Sequence, residues 1–186
     1  MPVKLVSIDV EYTHYVKPQR AAVLQLCVEK ECLVYHISAA KDRPVELDKF
    51  LMNGEYTFVG FAIEGDKSKL KVSGLEINSH TYIDIQVEWR DPYNKKKFDS
   101  LADVAGGIID IHYHDMKKKI NRKEDHTLWE FCPLPETLIK YAAIDAFATY
   151  ESWRIIYDVI MGLDMAKRDK EPKKKKKNKA VIQYNN

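Results

Sequence analysis

The segment spanning residues 3–11 constrains the fold more than any other part of the sequence. Its apolar residues fall on both sides of a period-two pattern, with Val6, Ile8 and Val10 on one side and Leu5 on the other. A strand that is apolar on both faces is typical of the centre of a sheet. This strand becomes acidic only at its C-terminal end. The pattern predicts an α/β domain organised around the first strand.

Later segments predict the rest of the sheet and the helices that cover it. Residues 22–29 and 32–38 are joined by a short polar turn, which predicts a hairpin antiparallel to the first strand. Pro44 precedes a predicted helix, and Ser100, with Asp103 three residues on, is expected to cap another. Pro135 is expected to begin the longest helix, which runs to about residue 163. Further strands are predicted at 56–63 and 81–87, with a short helix at 65–70. The result is a central mixed sheet, its first three strands antiparallel and its later strands parallel to the first, flanked by helices.

Charge divides the chain into two parts. Of its 30 basic and 28 acidic residues, nine basic and two acidic ones lie between residues 167 and 179, so this stretch carries +7 and the remainder −5. Such a lysine-rich stretch cannot offset its ordering entropy by burial. We therefore predict one domain at residues 1–165 and a flexible Lys-rich tail at 166–186. No uncharged apolar run approaches the roughly 18 residues of a membrane helix, so no membrane partner is expected.

Five polar side chains are candidates for a functional site. Asp9 and Glu11 lie two residues apart on a strand and project from the same face. Tyr141 and Asp145 lie four apart on the predicted long helix, where Asp145 borders an apolar stripe and therefore needs a partner. Asp66 follows the fourth predicted strand. The structural alternatives are a solvent-facing acidic pair, a buried hydrogen-bonded pair and a helix N-cap.

In their order and spacing these groups resemble the motifs of the DEDDy 3′-5′ exonuclease superfamily, in particular the Werner-syndrome-type exonuclease domains and ribonuclease D. The first motif, Asp-x-Glu, stands at residues 9–11, and the second ends in Ile-Glu-Gly-Asp at residue 66. The third, Tyr-x-x-x-Asp, stands at 141–145. Lys140 occupies the place where the related DEDDh group carries histidine, so Tyr141 indicates the subtype. The resemblance covers about residues 3–162.

The resemblance implies a ribonuclease H-like fold and a metal-dependent 3′-5′ exonuclease. Such an enzyme hydrolyses terminal phosphodiester bonds of DNA or RNA and releases nucleoside 5′-monophosphates by a two-metal mechanism. Two Mg²⁺ or Mn²⁺ ions are implied, with Asp9 bridging them and Asp66 holding the second ion. Glu11 and Asp145 would complete the site that activates water, and Tyr141 would orient that water.

Nucleic acid is the expected partner. Because the residues outside the Lys-rich stretch carry a net negative charge, local basic or aromatic side chains must bind the nucleic acid. Aromatic rings at the end of the first strand could stack on a terminal nucleotide, although edge packing is an alternative. Basic clusters could contact phosphates, with a solvated charged surface as the alternative. The tail predicts a nuclear location, with the cytoplasm as the alternative. The candidate substrate-binding residues are Tyr12, His14, Lys117, Lys118 and Arg122.

The sequence also departs from the family. Members usually have a strand and a helix before the first motif, whereas Asp9 lies close to the start of this sequence. A sheet edge could then be left uncovered, and a second copy of the chain could cover it, so a homo-oligomer is expected. Any helicase or other nucleic-acid enzyme would be a separate chain. The alternative function is a catalytically weak nucleic-acid-binding or assembly module that retains the exonuclease fold.

Overall fold

The computed structural model describes residues 4–78, 80, 82–91, 94–116 and 125–170, and of residues 163–170 it describes the backbone. The strands are β1 (Lys4–Tyr12), β2 (Ala21–Val28), β3 (Glu31–Tyr35), β4 (Tyr56–Gly60) and β5 (Tyr82–Asp84). The α-helices are α1 (Val45–Met52), α2 (Ile63–Val72), α3 (Ile85–Glu88), α4 (Leu101–Ile108) and α5 (Glu136–Lys170). Short 3₁₀ helices span Ile37–Ala39, Ile111–Asp115 and Asp125–Thr127.

The five strands form one mixed sheet in the order β3-β2-β1-β4-β5. β1 pairs antiparallel with β2, and β2 pairs antiparallel with β3. β4 runs parallel to β1, and β5 runs parallel to β4. The sheet therefore has the predicted topology, with the doubly apolar first strand at its centre.

Helices cover both faces of the sheet, as the alternation along β1 requires. Val6, Ile8 and Val10 project towards α1 and α2 and belong to one buried cluster. Leu5 projects to the opposite face, where its cluster includes Ala146 of α5 together with Val104 of α4. Because Ser7, Asp9 and Glu11 alternate with the first set, they face the same side as Leu5. The acidic end of β1 is thereby directed towards α5.

Three strands, β3, β4 and β5, end three residues before their predicted ends. β3 ends at Tyr35 instead of residue 38, because a 3₁₀ helix follows at Ile37–Ala39. β4 ends at Gly60, three residues before the predicted end, because Ala62 adopts a left-handed conformation and α2 begins at Ile63. β5 ends at Asp84 instead of residue 87, because the Asp84 side chain accepts a hydrogen bond from the backbone N–H of Gln86 and caps α3. At the ends of β4 and β5, a turn supported by side-chain hydrogen bonds interrupts an apolar run that alone favours a longer strand.

The starts of α4 and α5 agree with the sequence signals. Ser100 caps α4, since its Oγ accepts a hydrogen bond from the N–H of Asp103 at 3.2 Å. The carbonyl of Pro135 accepts from the N–H groups of Leu138 and Ile139 at 3.0 Å, so α5 begins immediately after this proline. The α5 backbone continues to Lys170, past the predicted end near residue 163. The division into residues 1–165 and a tail stays a prediction.

No helix in the described part of the chain is both long enough and apolar enough to cross a lipid bilayer.

Candidate active site

A cleft of about 680 Å³ opens at the carboxyl end of β1, between α2 and α5. The parallel strands β1, β4 and β5 end at this edge of the sheet, which is where ligand sites of open α/β sheets lie. The sequence motifs are far apart along the chain, yet all contribute to this one cleft. The five predicted catalytic residues line it: Asp9, Glu11, Asp66, Tyr141 and Asp145.

Three of the carboxylates form a tight cluster. Asp9 and Glu11 project from β1, and Asp145 projects from α5. One oxygen of each lies within 4.8 Å of the corresponding oxygens of the other two. Asp145 is 3% exposed, and Asp9 and Glu11 are half-buried. Like charges at this spacing repel one another, and a cation between them would relieve that repulsion.

A buried hydrogen bond holds α5 in register with β1. Ser7, which shares a face with Asp9, is fully buried and donates its hydroxyl proton to the carbonyl oxygen of Ala146 at 2.6 Å. Ala146 is the residue directly after Asp145. One turn further along, the Thr149 hydroxyl donates to the Asp145 carbonyl oxygen at 2.9 Å. The contact between Ser7 and Ala146 therefore fixes the distance between the carboxylates of the two elements.

The fourth carboxylate, Asp66, lies in the first turn of α2. The N-cap of this helix is Ala62, so the alternative interpretation of Asp66 as an N-cap is wrong. Asp66 is only 9% exposed. Burial, and secondly the nearby Asp9 carboxylate, raise the pKa of Asp66 to about 8, while the positive charge of Lys69 opposes this shift. Without a cation, Asp66 therefore keeps its proton at neutral pH, and a bound cation would favour its ionised form.

Tyr141 is held by two aromatic neighbours at the wall of the cleft. It is 6% exposed, and its ring lies edge-on to the His126 ring with centroids 5.8 Å apart. Its centroid is 6.0 Å from that of Trp129, which is itself 2% exposed. Trp129 also lines the cleft. Packing on two sides limits the rotation of the Tyr141 ring.

Of the candidate substrate-binding residues, Tyr12 and His14 line the cleft. The other three, Lys117, Lys118 and Arg122, lie outside the described residues.

The sequence analysis missed four side chains that line the cleft: the aromatic rings of Phe61 and Trp129 and the polar groups of Lys69 and His126. Lys69 extends its ammonium group to 4.2 Å from the centroid of the Tyr12 ring and donates to the Gly65 carbonyl at 3.3 Å. Because it lies three residues after Asp66 on one helix, its position could have been inferred from helical spacing. His126 has no such signal, since it precedes the third motif in a segment without apolar periodicity.

The comparisons with known proteins agree with this geometry. Residues 2–160 match the family described as 3′-5′ exonuclease. The chain belongs to the 3′-5′ exonuclease family. It is 31% identical over 150 residues to the mouse bifunctional 3′-5′ exonuclease/ATP-dependent helicase WRN, an alignment that covers 77% of this chain and 10% of the mouse protein. The family predicted from the sequence is thereby confirmed.

Solved structures share the fold. The Nibbler EXO domain of Aedes aegypti superposes with a TM-score of 0.66 at 16% identity, covering 87% of this chain and 81% of that one. Brucella melitensis NrnC with bound Mg²⁺ superposes with a TM-score of 0.55 at 15% identity, covering 89% and 78%. At these identities the likeness establishes the ribonuclease H-like fold, as predicted.

This chain spans a tenth of the mouse relative and about half of the fly and plant 3′-5′ exonucleases that it matches.

Proposed function

We propose that this protein is a metal-dependent exonuclease that removes nucleoside 5′-monophosphates one at a time from the 3′ end of DNA or RNA. The observation that carries the proposal is the meeting of four carboxylates and one tyrosine, from β1, α2 and α5, in one cleft. The crowding of Asp9, Glu11 and Asp145 within 4.8 Å supports a cation-binding role for this cluster.

The donor set fits divalent magnesium or manganese. All four candidate ligands are carboxylates, and these hard cations prefer oxygen ligands. The raised pKa of Asp66 has the same consequence, since a bound cation favours its ionised form. We propose that Asp9 contacts both ions, that Glu11 and Asp145 hold one, and that Asp66 holds the other. Two such ions, when bound, stabilise the attacking and leaving oxygens of a phosphoryl transfer.

Tyr141 is proposed to position the attacking water through its hydroxyl group. Tyr141 shares a helical face with Asp145, four residues on, which directs both side chains into the cleft. The rings of His126 and Trp129 against it favour one orientation of its hydroxyl group. Replacing tyrosine with phenylalanine keeps this packing and removes only the hydroxyl.

Binding of an unpaired terminal nucleotide is supported by the aromatic lining of the cleft. Tyr12, Phe61 and Trp129 all line it, and nucleobases of any sequence stack on such rings. Lys69 lies beside Tyr12 and offers a positive charge to a phosphate group. This lining suits both DNA and RNA, because stacking does not involve the 2′-hydroxyl.

A nuclease assay with matched variants tests the proposal. A 5′-labelled single strand and a recessed duplex, each as DNA and as RNA, are incubated with Mg²⁺ or Mn²⁺. The wild type should shorten the strand from its 3′ end in single-nucleotide steps, and EDTA should abolish the ladder. Asp9→Ala should lose activity by at least about 10³-fold, and Tyr141→Phe by about 10- to 100-fold.

Two results would contradict the proposal. A ladder that persists in Asp9→Ala would show that cleavage occurs elsewhere. No cleavage of any substrate by the wild type, together with salt-sensitive binding, would favour the alternative of a binding module.

A homo-oligomer and a nuclear location stay predictions. Within the described residues β3 pairs only with β2, and Leu33 at this edge is 53% exposed, which supports self-association through the sheet edge. Light scattering of the full chain tests this: a dimer or larger assembly is expected, and a monomer at all concentrations contradicts it.

A further inference from the structure

The start of α2 lacks a cap of its own. Its N-cap residue is Ala62, which has no side-chain acceptor and adopts φ 56° and ψ 39°. The first N–H groups of any α-helix have no partner within the helix and need acceptors from elsewhere. A left-handed non-glycine residue also costs about 1 kcal/mol or more, so it persists only where the surroundings hold it. Something outside α2 must therefore stabilise its first turn.

Asp84, at the end of β5, supplies the missing acceptors. Its Oδ1 accepts a hydrogen bond from the N–H of Ala62 at 3.0 Å, and its Oδ2 accepts from the N–H of Ile63 at 3.1 Å. The same Oδ1 accepts from the N–H of Gln86 at 2.9 Å. Asp84 and Gly60 are paired neighbours on parallel strands, which places this carboxylate beside the turn that follows β4. Asp84 thus caps two helices at once.

The turn between β4 and α2 leaves little freedom for rearrangement. It consists of Phe61 and Ala62 alone. A Cβ atom at Gly60 would lie 3.0 Å from three side-chain carbons of Ile63, which shows how closely the chain folds back on itself. Asp66 follows Ala62 by four residues, about one helical turn or roughly 6 Å along the axis. A change in the direction of this turn therefore moves the Asp66 carboxylate directly.

We propose that Asp84 is a positioning residue that holds the first turn of α2, and with it the Asp66 carboxylate, in the geometry that binds a divalent cation. This inference rests on the proposed function for the role of Asp66. Asp84 is absent from the residues that line the cleft and bonds the α2 backbone, and its negative charge also contributes to the raised pKa of Asp66.

Capping of α3 alone does not account for the contacts of Asp84. A single oxygen bonded to the Gln86 N–H would suffice for that helix, which has only four residues. Two of the three hydrogen bonds go instead to α2, across 21 and 22 residues of sequence. Both carboxylate oxygens are used, so asparagine, with one oxygen and an N–H₂ group, cannot reproduce the arrangement.

Amide hydrogen exchange of the metal-free wild type provides the first test. The N–H groups of Ala62 and Ile63 stand at a helix start, where uncapped amides exchange freely. If Asp84 holds them, both should be protected at least tenfold over the unstructured chain. Exchange of both amides at the unprotected rate would overturn the proposal, and this measurement needs neither a variant nor a metal.

The second test compares Asp84→Asn with a matched control, Asp110→Asn. Asp110 also accepts a backbone N–H at a helix start, from His112 at 2.9 Å, but it is exposed and away from the cleft. In Asp84→Asn the affinity for Mn²⁺ and kcat should each fall about 10- to 100-fold, the range found for groups that orient metal ligands. KM for the nucleic acid should change less than threefold, and Asp110→Asn should match the wild type.

The Mn²⁺ affinity is measured by calorimetry, so it does not depend on turnover. Equal Mn²⁺ affinity in Asp84→Asn and Asp110→Asn would overturn the proposal, as would a loss confined to KM. Asp66→Asn separates this failure from failure of the proposed function. If the wild type and Asp66→Asn bind Mn²⁺ equally, Asp66 is not a ligand, and the proposed site itself is wrong.

Discussion

We predict that Asp66 makes the metal-free protein less stable than a neutral side chain at this position would. The pKa of this carboxyl is raised from 3.8 to about 8, by burial first and then by the Asp9 carboxylate. The folded state therefore holds a proton that the unfolded chain releases above pH 3.8. The stability associated with this proton is fully present below pH 3.8 and is lost progressively as the pH rises to about 8. Four pH units correspond to a free energy on the order of 5 kcal/mol.

Replacing Asp66 with asparagine removes this penalty without changing the shape of the side chain. We expect Asp66→Asn to be more stable than the wild type in EDTA, by up to about 4 kcal/mol at pH 7, since most of the titration interval has then been crossed. The wild-type free energy of unfolding should fall by up to about 1.4 kcal/mol per pH unit between pH 4 and pH 8. That component of the slope should be missing from the variant.

Urea unfolding, followed by circular dichroism at several pH values, measures these differences. The control is Asp110→Asn, which removes an exposed carboxylate and should follow the wild-type curve. Added Mn²⁺ should stabilise the wild type more than Asp66→Asn, because a cation that binds only the folded state adds its binding free energy, and the variant lacks one ligand of the second ion. Identical pH profiles for the wild type and Asp66→Asn, or a less stable variant at pH 8, would refute the reasoning.

Two further predictions compare paired substitutions. Ser7→Ala should cost about 1 kcal/mol and lower kcat, because it removes the buried bond that places β1 against α5. Ser152→Ala should be neutral or stabilising, since the buried Ser152 hydroxyl has no hydrogen-bond partner among the described residues. Gly106→Ala should destabilise the protein by about 1–3 kcal/mol, because the new Cβ would lie 2.6 Å from the His114 ring. In Gly107→Ala the new Cβ meets open space, so this substitution should stabilise α4 by about 0.5–1 kcal/mol. Thermal unfolding with and without metal checks both pairs.

The central strand and the two motifs on regular elements could be predicted from the sequence because periodicity determines them. Alternation along β1 directs Asp9 and Glu11 to one face, and helical spacing does the same for Tyr141 and Asp145 on α5. These are local relations, which the geometry of a strand or a helix enforces without tertiary information.

The position of Asp66 could not be predicted in the same way. The apolar run to Ile63 favours a continuing strand. The chain instead turns at Ala62, because the Asp84 carboxylate accepts hydrogen bonds from the backbone N–H groups of Ala62 and Ile63. That contact joins residues more than 20 positions apart and leaves no periodic signal. Asp84 itself lay inside a predicted strand. The aromatic support of Tyr141 by His126 is equally non-local.

The central claim is that divalent cations held by these carboxylates act on the terminal phosphate. Single-turnover cleavage of a strand whose last linkage carries a non-bridging phosphorothioate tests it directly, because sulfur is a poor ligand for Mg²⁺ and a better one for the softer Mn²⁺. We predict slow removal of the last nucleotide with Mg²⁺, recovery with Mn²⁺ in the wild type, and no recovery in Asp9→Ala. Equal rates for the oxygen and sulfur linkages, of either stereochemistry and in both metals, would contradict the account.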